Sequence, residues 1–357
     1  MNRYGIGLFG RKTAGWEMLL RQEGVPYSVC PENISNNDLS AVIIADDADE
    51  KYDPDIKNYL KKGGGILCSA EIFNRLTGEP VTREYIKYLL PEKDSPFVGI
   101  WLIDVKKKCA LIKRSNFLRS DSGSATLYLG EYSGGWIAVL PFDGSLMMGD
   151  VRSVSKSFYG KGTRLPHEIV STVSKGTIRA ILVRCLEEIH HKRGIPYIHL
   201  WYYPTPENSS FGLRIDTDFA SAEEVQRTYR LLQASGVSAT WFVDVKSQQN
   251  SLSLYKNMTD QEVSLHCYEH KTYADYTSND DNIRKALMVM RNYGIVPHGF
   301  ASPYGKWNDA IARAVMDNKF EYSSEFAYDY DNLPSAPSLE SGFSCVPQIP
   351  IHPVSIG

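Results

Sequence analysis

The sequence predicts an α/β protein in two parts, a flavodoxin-like open sheet with a β-rich extension followed by a (β/α) barrel. Three observations carry that prediction. The first 70 residues alternate short apolar strands with segments of helical period, the pattern of parallel β-α units. Residues 97–150 change to closely spaced strand-like runs broken by turns. From residue 211 the β-α alternation restarts, now with polar clusters at strand ends, where a barrel places its active site.

Tyr4 to Phe9 reads as the first strand, and Trp16 to Leu20 as a helix running to Gly24. Val25 to Cys30 and Ala41 to Ala45 are the next strands, with Pro26 at a strand start, where proline is tolerated. Ile56 to Lys62 is helical and stopped by Gly63, Gly64 and Gly65, and Ile66 to Ser69 is again a strand. The stretches FVGIWLIDV, CALIKRS, ATLYLGEY, GWIAVLPFDG and LMMGDV form the β-rich extension. His167 to His191 reads as one long helix, apolar at Ile169, Val170, Val173, Ile178, Ile181, Leu182, Cys185 and Ile189. Residues 194–212 carry three prolines and mark the junction, dividing the chain into 1–200 and 201–357. Beyond it, Phe211 to Ile215 is a strand leading into Asp216-Thr217-Asp218. Ser221 and Glu224 make a capping box for a helix ended by Gly236. Strands follow at 237–245 and 263–265, a helix from Asn282 to Tyr293, and a strand from His298 to Ser302 that breaks at Pro303. Asp309 to Asp317 is helical, and Phe320 to Ser323 is a short strand.

Composition narrows the function classes. With 357 residues, 43% hydrophobic and 23% charged, the chain is ordinary globular protein, neither disordered nor fibrous. A net charge of −3 offers no overall attraction to nucleic acid or anionic membranes. The sum hides an asymmetry: residues 1–200 hold 27 Lys and Arg against 23 Asp and Glu, residues 201–357 hold 12 against 19. Six cysteines show no C-x-x-C pair, and no apolar stretch is long enough for a membrane span. The N-terminal MNRYGIGLFGRKTAG is too short and glycine-rich for a signal peptide, so the expectation is a cytoplasmic protein with reduced thiols.

Three motifs carry chemistry. Asp216 and Asp218 close a strand at i and i+2, a spacing that aims both carboxylates at one site. Two adjacent carboxylates repel, so the pair makes sense around a cation or a shared proton. His266 and His270 stand at i and i+4, which on a helix converge on one face, although Cys267 after the first histidine excludes the H-E-x-x-H metalloprotease pattern. An aspartate with two histidines leaves metal positions open for water and substrate. The third motif, Phe300-Ala-Ser-Pro-Tyr-Gly-Lys-Trp-Asn308, is a strand end running into a Pro-Tyr-Gly turn.

Together these motifs resemble the polysaccharide deacetylases, the NodB-homology superfamily of metal-dependent carbohydrate esterases. The resemblance spans roughly 205–357 through RIDTD, SATWFV, EVSLHCYEH, GFASPYGKWN and IPIHPVS. It implies a distorted (β/α) barrel holding a divalent metal with Zn²⁺ the first choice; with five residues after His352 and no closing helix, the expectation is either a shortened, incomplete barrel or a sequence that ends before its closing helix. It implies Asp218, His266 and His270 as metal ligands, Asp216 as the base acting on metal-activated water, and His352 as the acid that protonates the leaving amine. The backbone N–H of Tyr304 after Pro303 would help hold the oxyanion, with Pro303 and Trp307 lining the substrate site. The family's third motif has an arginine where this chain has Ala301, and Arg214 is the candidate substitute through pairing with a neighbouring carboxylate. The family's fourth motif ends in Asp-Trp; here Asp329 or Asp331 is available and no tryptophan, with Asp331 the supporting candidate for the acid. The resulting expectation is an N-deacetylase acting on an amino sugar or glycan precursor. A metal- or glycan-binding pseudoenzyme and a hydrolase of a non-sugar C–N bond are the alternatives. The first 200 residues loosely resemble a degenerate amidotransferase-like domain, with Cys68 after a strand but no elbow glycine and no partner histidine-glutamate pair.

Overall fold

The computed structural model describes residues 5–31, 34, 39–159, 164–326 and 333–351. The chain divides into two compact units, residues 1–152 with 172–201, and residues 153–171 with 202–357.

The first unit opens with β1 (Gly5–Phe9), α1 (Ala14–Glu23), β2 (Tyr27–Val29) and β3 (Leu39–Ile44). It continues through α2 (Asp53–Lys61), β4 (Gly65–Ser69), α3 (Ala70–Thr77) and the antiparallel run β5 (Val81–Leu90), β6 (Ile103–Ile112), β7 (Phe117–Ser120) and β8 (Ala125–Tyr132). β9 (Gly135–Leu140) and the short α4 (Gly144–Met148) follow. All nine strands form one sheet in the order β2-β1-β3-β4-β9-β8-β7-β5-β6. From β2 through β9 the pairing is parallel, the flavodoxin-like order, and from β9 onward it is antiparallel. Strands β1, β3 and β4 are buried along their whole length, which is why they read as continuous apolar runs without alternation. Ile56, Tyr59 and Leu60 of α2 and Ile72, Phe73 and Leu76 of α3 cluster with Val42, Ile44, Ile66, Ile137 and Val139 of the sheet. After the hairpin β10 (Ser153–Tyr159) and β11 (Arg164–Ser171), α5 (Lys175–Lys192) returns to the first unit against β3, β4 and β9.

Three local expectations are corrected. LMMGDV is helical rather than a strand, because the Asp143 carboxylate accepts from the Ser145 and Leu146 N–H groups and caps α4. The stretch from His167 is not all helix: β11 runs to Ser171 as the antiparallel partner of β10, and α5 begins only at Lys175. Strand β5, absent from the sequence reading, is the central partner of β6 and β7.

The second unit is built on six parallel strands in the order β12-β13-β14-β15-β16-β19, a half-barrel consistent with a distorted barrel. These are β12 (Arg214–Asp216), β13 (Thr240–Asp244), β14 (Glu262–Cys267), β15 (Gly299–Phe300), β16 (Tyr322–Glu325) and β19 (Gln348–Pro350). A two-stranded ribbon, β17 (Ser338–Leu339) with β18 (Gly342–Phe343), precedes the last. Between strands lie α6 (Ala222–Ser235), α7 (Val245–Gln248), α8 (Leu252–Lys256), α9 (Tyr276–Asn292) and α10 (Asp309–Asp317). The Ser221–Glu224 capping box is formed, and Gly236 ends α6 in the left-handed region at φ 64°. Helix α9 starts one turn and more before Asn282 because Asp275 caps it by accepting from Ser278 N–H. Trp241, Val243, Leu265, Phe300, Ile283, Met290, Ile311 and Val315 make the core between strands and helices. The β10–β11 hairpin groups with this unit, and β11 lies beside the turn Pro303–Gly305. Among the described residues no helix is long and apolar enough to cross a membrane.

Candidate metal centre

The second unit's polar side chains gather where β12 and β14 end. His266, on β14, is buried, and its Nδ1 lies 2.7 Å from the Ala301 carbonyl. A carbonyl only accepts, so Nδ1 carries the proton and Nε2 is left as a lone pair facing outward. That Nε2 lies 3.1 Å from His270 Nε2 and 3.1 Å from Asp218 Oδ1. His270 Nε2 lies 3.1 Å from the other carboxylate oxygen, Asp218 Oδ2, so the three side chains close a triangle of candidate ligands. The two histidines do not share a helical face as the i, i+4 spacing suggested. His266 is the penultimate residue of a strand, and the bend over 268–270 folds His270 back beside it.

This triangle fits a small divalent cation. Three ligands of a tetrahedral ion at 2.0–2.1 Å stand about 3.3 Å apart, close to the distances here. The outward lone pair of His266 Nε2 and the Asp218 carboxylate both face His270 Nε2, an arrangement that a positive charge between them would satisfy, and the His270 Nδ1 atom is buried with no protein partner among the described residues. The ring of His270 is contacted edge-on by Phe219 at 5.3 Å and by Tyr304 at 4.5 Å between centroids.

Asp216 stands beside this triangle, held by Arg214. The guanidinium donates from Nε to Asp216 Oδ1 and from Nη2 to Oδ2, both at 2.6 Å, and from Nη1 to the Ser324 carbonyl at 2.6 Å. Its central carbon, Cζ, also lies 5.1 Å from the Phe242 ring centre. Desolvation pushes the Asp216 carboxyl upward, but the charge and paired hydrogen bonds of Arg214 outweigh it and hold the pKa below the ordinary value. For Asp218 the same competition, with the His266 and His270 contacts opposing desolvation, also ends below the ordinary value.

Of the other sequence candidates, Pro303 is buried at the start of its turn, and Tyr304 sits in that turn at φ 58° and is 63% exposed. Trp307 packs against the core cluster and has its Nε1 buried without a partner among the described residues. His352 and Asp331 lie outside the described residues. Cys267 is buried, and burial followed by the nearby Asp244 charge pushes its thiol far up, which disfavours thiolate ligation. In the first unit, Cys68 is likewise buried with its thiol pushed up, the opposite of an activated nucleophile.

Two residues at the site escaped the sequence reading. Glu325, the last residue of β16, is fully buried, accepts from the Ser302 N–H at 2.5 Å, and places its charge near Arg214. It thus ties the strand that receives Arg214 to the turn that carries Tyr304. Phe219 follows the candidate ligand Asp218 directly. A carboxylate at a strand's C-terminal end and an apolar residue next to a ligand are the only signals either leaves in the sequence.

Residues 203–323 match the family model described as polysaccharide deacetylase. No curated protein matches the chain. Among solved structures, a candidate polysaccharide deacetylase of Mycobacterium smegmatis is similar at 16% identity and TM-score 0.34, over 39% of this chain and 57% of that one. A family 4 carbohydrate esterase pseudoenzyme of Bacillus anthracis is similar at 22% identity and TM-score 0.30, over 38% and 50%. A family 4 carbohydrate esterase of Streptomyces lividans in complex with acetate is similar at 24% identity and TM-score 0.30, over 33% and 62%. The chain therefore spans between half and two thirds of the length of these structures. The family-model match lies within the second unit and does not extend to the first.

Proposed function

We propose that the second unit is a metal-dependent hydrolase that removes the acyl group from an N-acyl amino sugar. The observation that carries this reading is the triangle of Asp218, His266 and His270 standing beside an arginine-paired Asp216. Those three residues would hold the ion, Zn²⁺ being the first choice for one carboxylate and two imidazoles. Bound there, a divalent ion supplies Lewis acidity and activation of water at neutral pH. Asp216, kept ionised by Arg214, accepts the proton of the attacking water. The Tyr304 N–H donates to the oxygen that gains charge, a contribution on the order of 3 kcal/mol for such a donor. His352 donates the proton that lets the amine leave, so that amide and water become a carboxylic acid and a free amino sugar. Arg214 takes the place of the arginine that the resemblance would put at Ala301, and Glu325 fixes the turn and the charge around it.

The test pairs metal content with turnover. Purified protein should hold one divalent ion and release acetate from N-acetyl chito-oligosaccharides. Asp216→Asn should keep the metal and lose about 10²–10⁴-fold in kcat. Full turnover in that variant would remove Asp216 as the base. An ion bound without hydrolysis of any N-acyl sugar would favour the pseudoenzyme reading, for which the methyl side chain at Ala301 is the relevant departure.

A further inference from the structure

Two exposed aromatic residues beside the metal centre share an unusual backbone. Phe219 has φ 55° and Tyr304 has φ 58°, both in the left-handed region. That region is unfavourable for a residue with a Cβ, and such strain persists where the surroundings or function require it. Neither side chain recovers the cost by burial, since Phe219 is 70% exposed and Tyr304 63% exposed. A phenylalanine left in water forgoes the favourable transfer of its ring out of solvent. What each ring does contact is the candidate ligand His270, edge-on. The left-handed turn at Phe219 places its ring beside the imidazole rather than among the core residues. Lys306 holds its ammonium 5.7 Å from the centre of the Tyr304 ring, which leaves Phe219 as the ring offered to a neutral ligand.

We propose that Phe219, with Tyr304 beside it, is a substrate-binding element that stacks on the C–H face of a pyranose ring and orients the sugar's N-acyl group toward the metal centre. This makes Phe219 a specificity-determining residue, and it rests on the hydrolase reading for the identity of the ligand as an amino sugar. A pyranose offers a flat patch of C–H bonds on one face and hydroxyls at its rim, so an exposed, strained aromatic ring meets the first while water keeps the second. An aliphatic acyl donor without a ring would gain nothing from this element.

The test is binding of N-acetyl chito-oligosaccharides to metal-loaded full-length protein by calorimetry, in the Asp216→Asn background so that no turnover intervenes. Phe219→Gly should weaken oligosaccharide binding about tenfold, the scale of one well-placed aromatic contact, with metal affinity unchanged. Phe219→Trp should restore it. Because glycine relieves the left-handed strain, Phe219→Gly should also melt no lower than the parent, which separates lost stacking from lost fold. Equal binding by the parent and Phe219→Gly would overturn the proposal, as would a parent that binds none of these sugars. A wild-type protein that binds the sugars through Phe219 yet releases no acetate would instead sink the hydrolase reading and leave the aromatic site standing.

Discussion

Both units gather carboxylates at the C-terminal ends of parallel strands, yet they use them in opposite ways. In the first unit, Asp47 beyond β3 accepts from the Arg11 and Lys12 N–H groups at 3.0 and 2.9 Å. Asp143 beyond β9 accepts from Asp46 N–H at 2.7 Å and caps α4, and Asp46 accepts from the Ser69 hydroxyl. Their donors come from the chain itself, and the cluster closes on itself. In the second unit, Asp218, His266 and His270 face one another at 3.1 Å, and the remaining ring nitrogen of His270 is buried with no partner among the described residues. Position at a strand end is therefore a weak sign of chemistry. A carboxylate and two imidazole nitrogens gathered face to face are a strong one.

The sharpest way to break the contrast is to remove one carboxylate from each cluster. Asp218→Asn should lower metal affinity by more than about 100-fold, beyond what loss of a supporting group costs, with little change in the urea midpoint. Asp143→Ala should do the reverse, lowering stability by about 2 kcal/mol through the lost cap while metal content stays the same. Loss of metal in Asp143→Ala would show that the two clusters are not separate.

Acid should act on the first unit through two groups of opposite sign. His190 is buried in α5, its Nδ1 bonded to the Leu186 carbonyl at 2.6 Å, and burial lowers its pKa from 6.5 to about 4. Between those values the unfolded chain holds the extra proton, so stability falls as pH drops from 6.5 toward 4, by about 3 kcal/mol at the limit. Asp46 runs the other way: desolvation raises its carboxyl from 3.8 to about 6, so the folded state takes up the proton first and gains as pH falls through that window. Urea unfolding across pH 4 to 7 should therefore show a shallow acid loss in the parent. The loss should steepen in Asp46→Asn and flatten or invert in His190→Gln. Identical slopes in all three proteins would contradict both assignments. The smallest effect is expected from Ser69→Ala: its hydroxyl opposes the upward shift of Asp46, so its loss should move the NMR-detected Asp46 midpoint above 6.

Much of the architecture was legible because it is local. Buried parallel strands read as apolar runs, and the Ser221–Glu224 box and Gly236 mark both ends of α6. The metal triad was legible as residue types and spacing, although the geometry that unites the histidines is a strand and a bend rather than a helix. What stayed hidden depends on partners far away in the chain. Strand β5 is polar along much of its length and is a strand because β6 and β7 flank it. The β10–β11 hairpin groups with the second unit, a placement no local pattern encodes. Glu325 matters through Ser302 and Arg214, which lie 23 and 111 positions away.

The sequence by itself therefore determined the α/β class, the alternation of elements and the identity of the residues able to bind a cation, since propensity, capping and donor chemistry belong to short segments. Tertiary structure alone decided that Arg214 also reaches the Ser324 carbonyl of β16, that one acidic cluster is satisfied from within and the other is not, and that Phe219 stands exposed beside His270. Each of those outcomes turns on which backbone and side-chain atoms of distant segments meet, and a hydrogen bond or a desolvation cost has no value until they do.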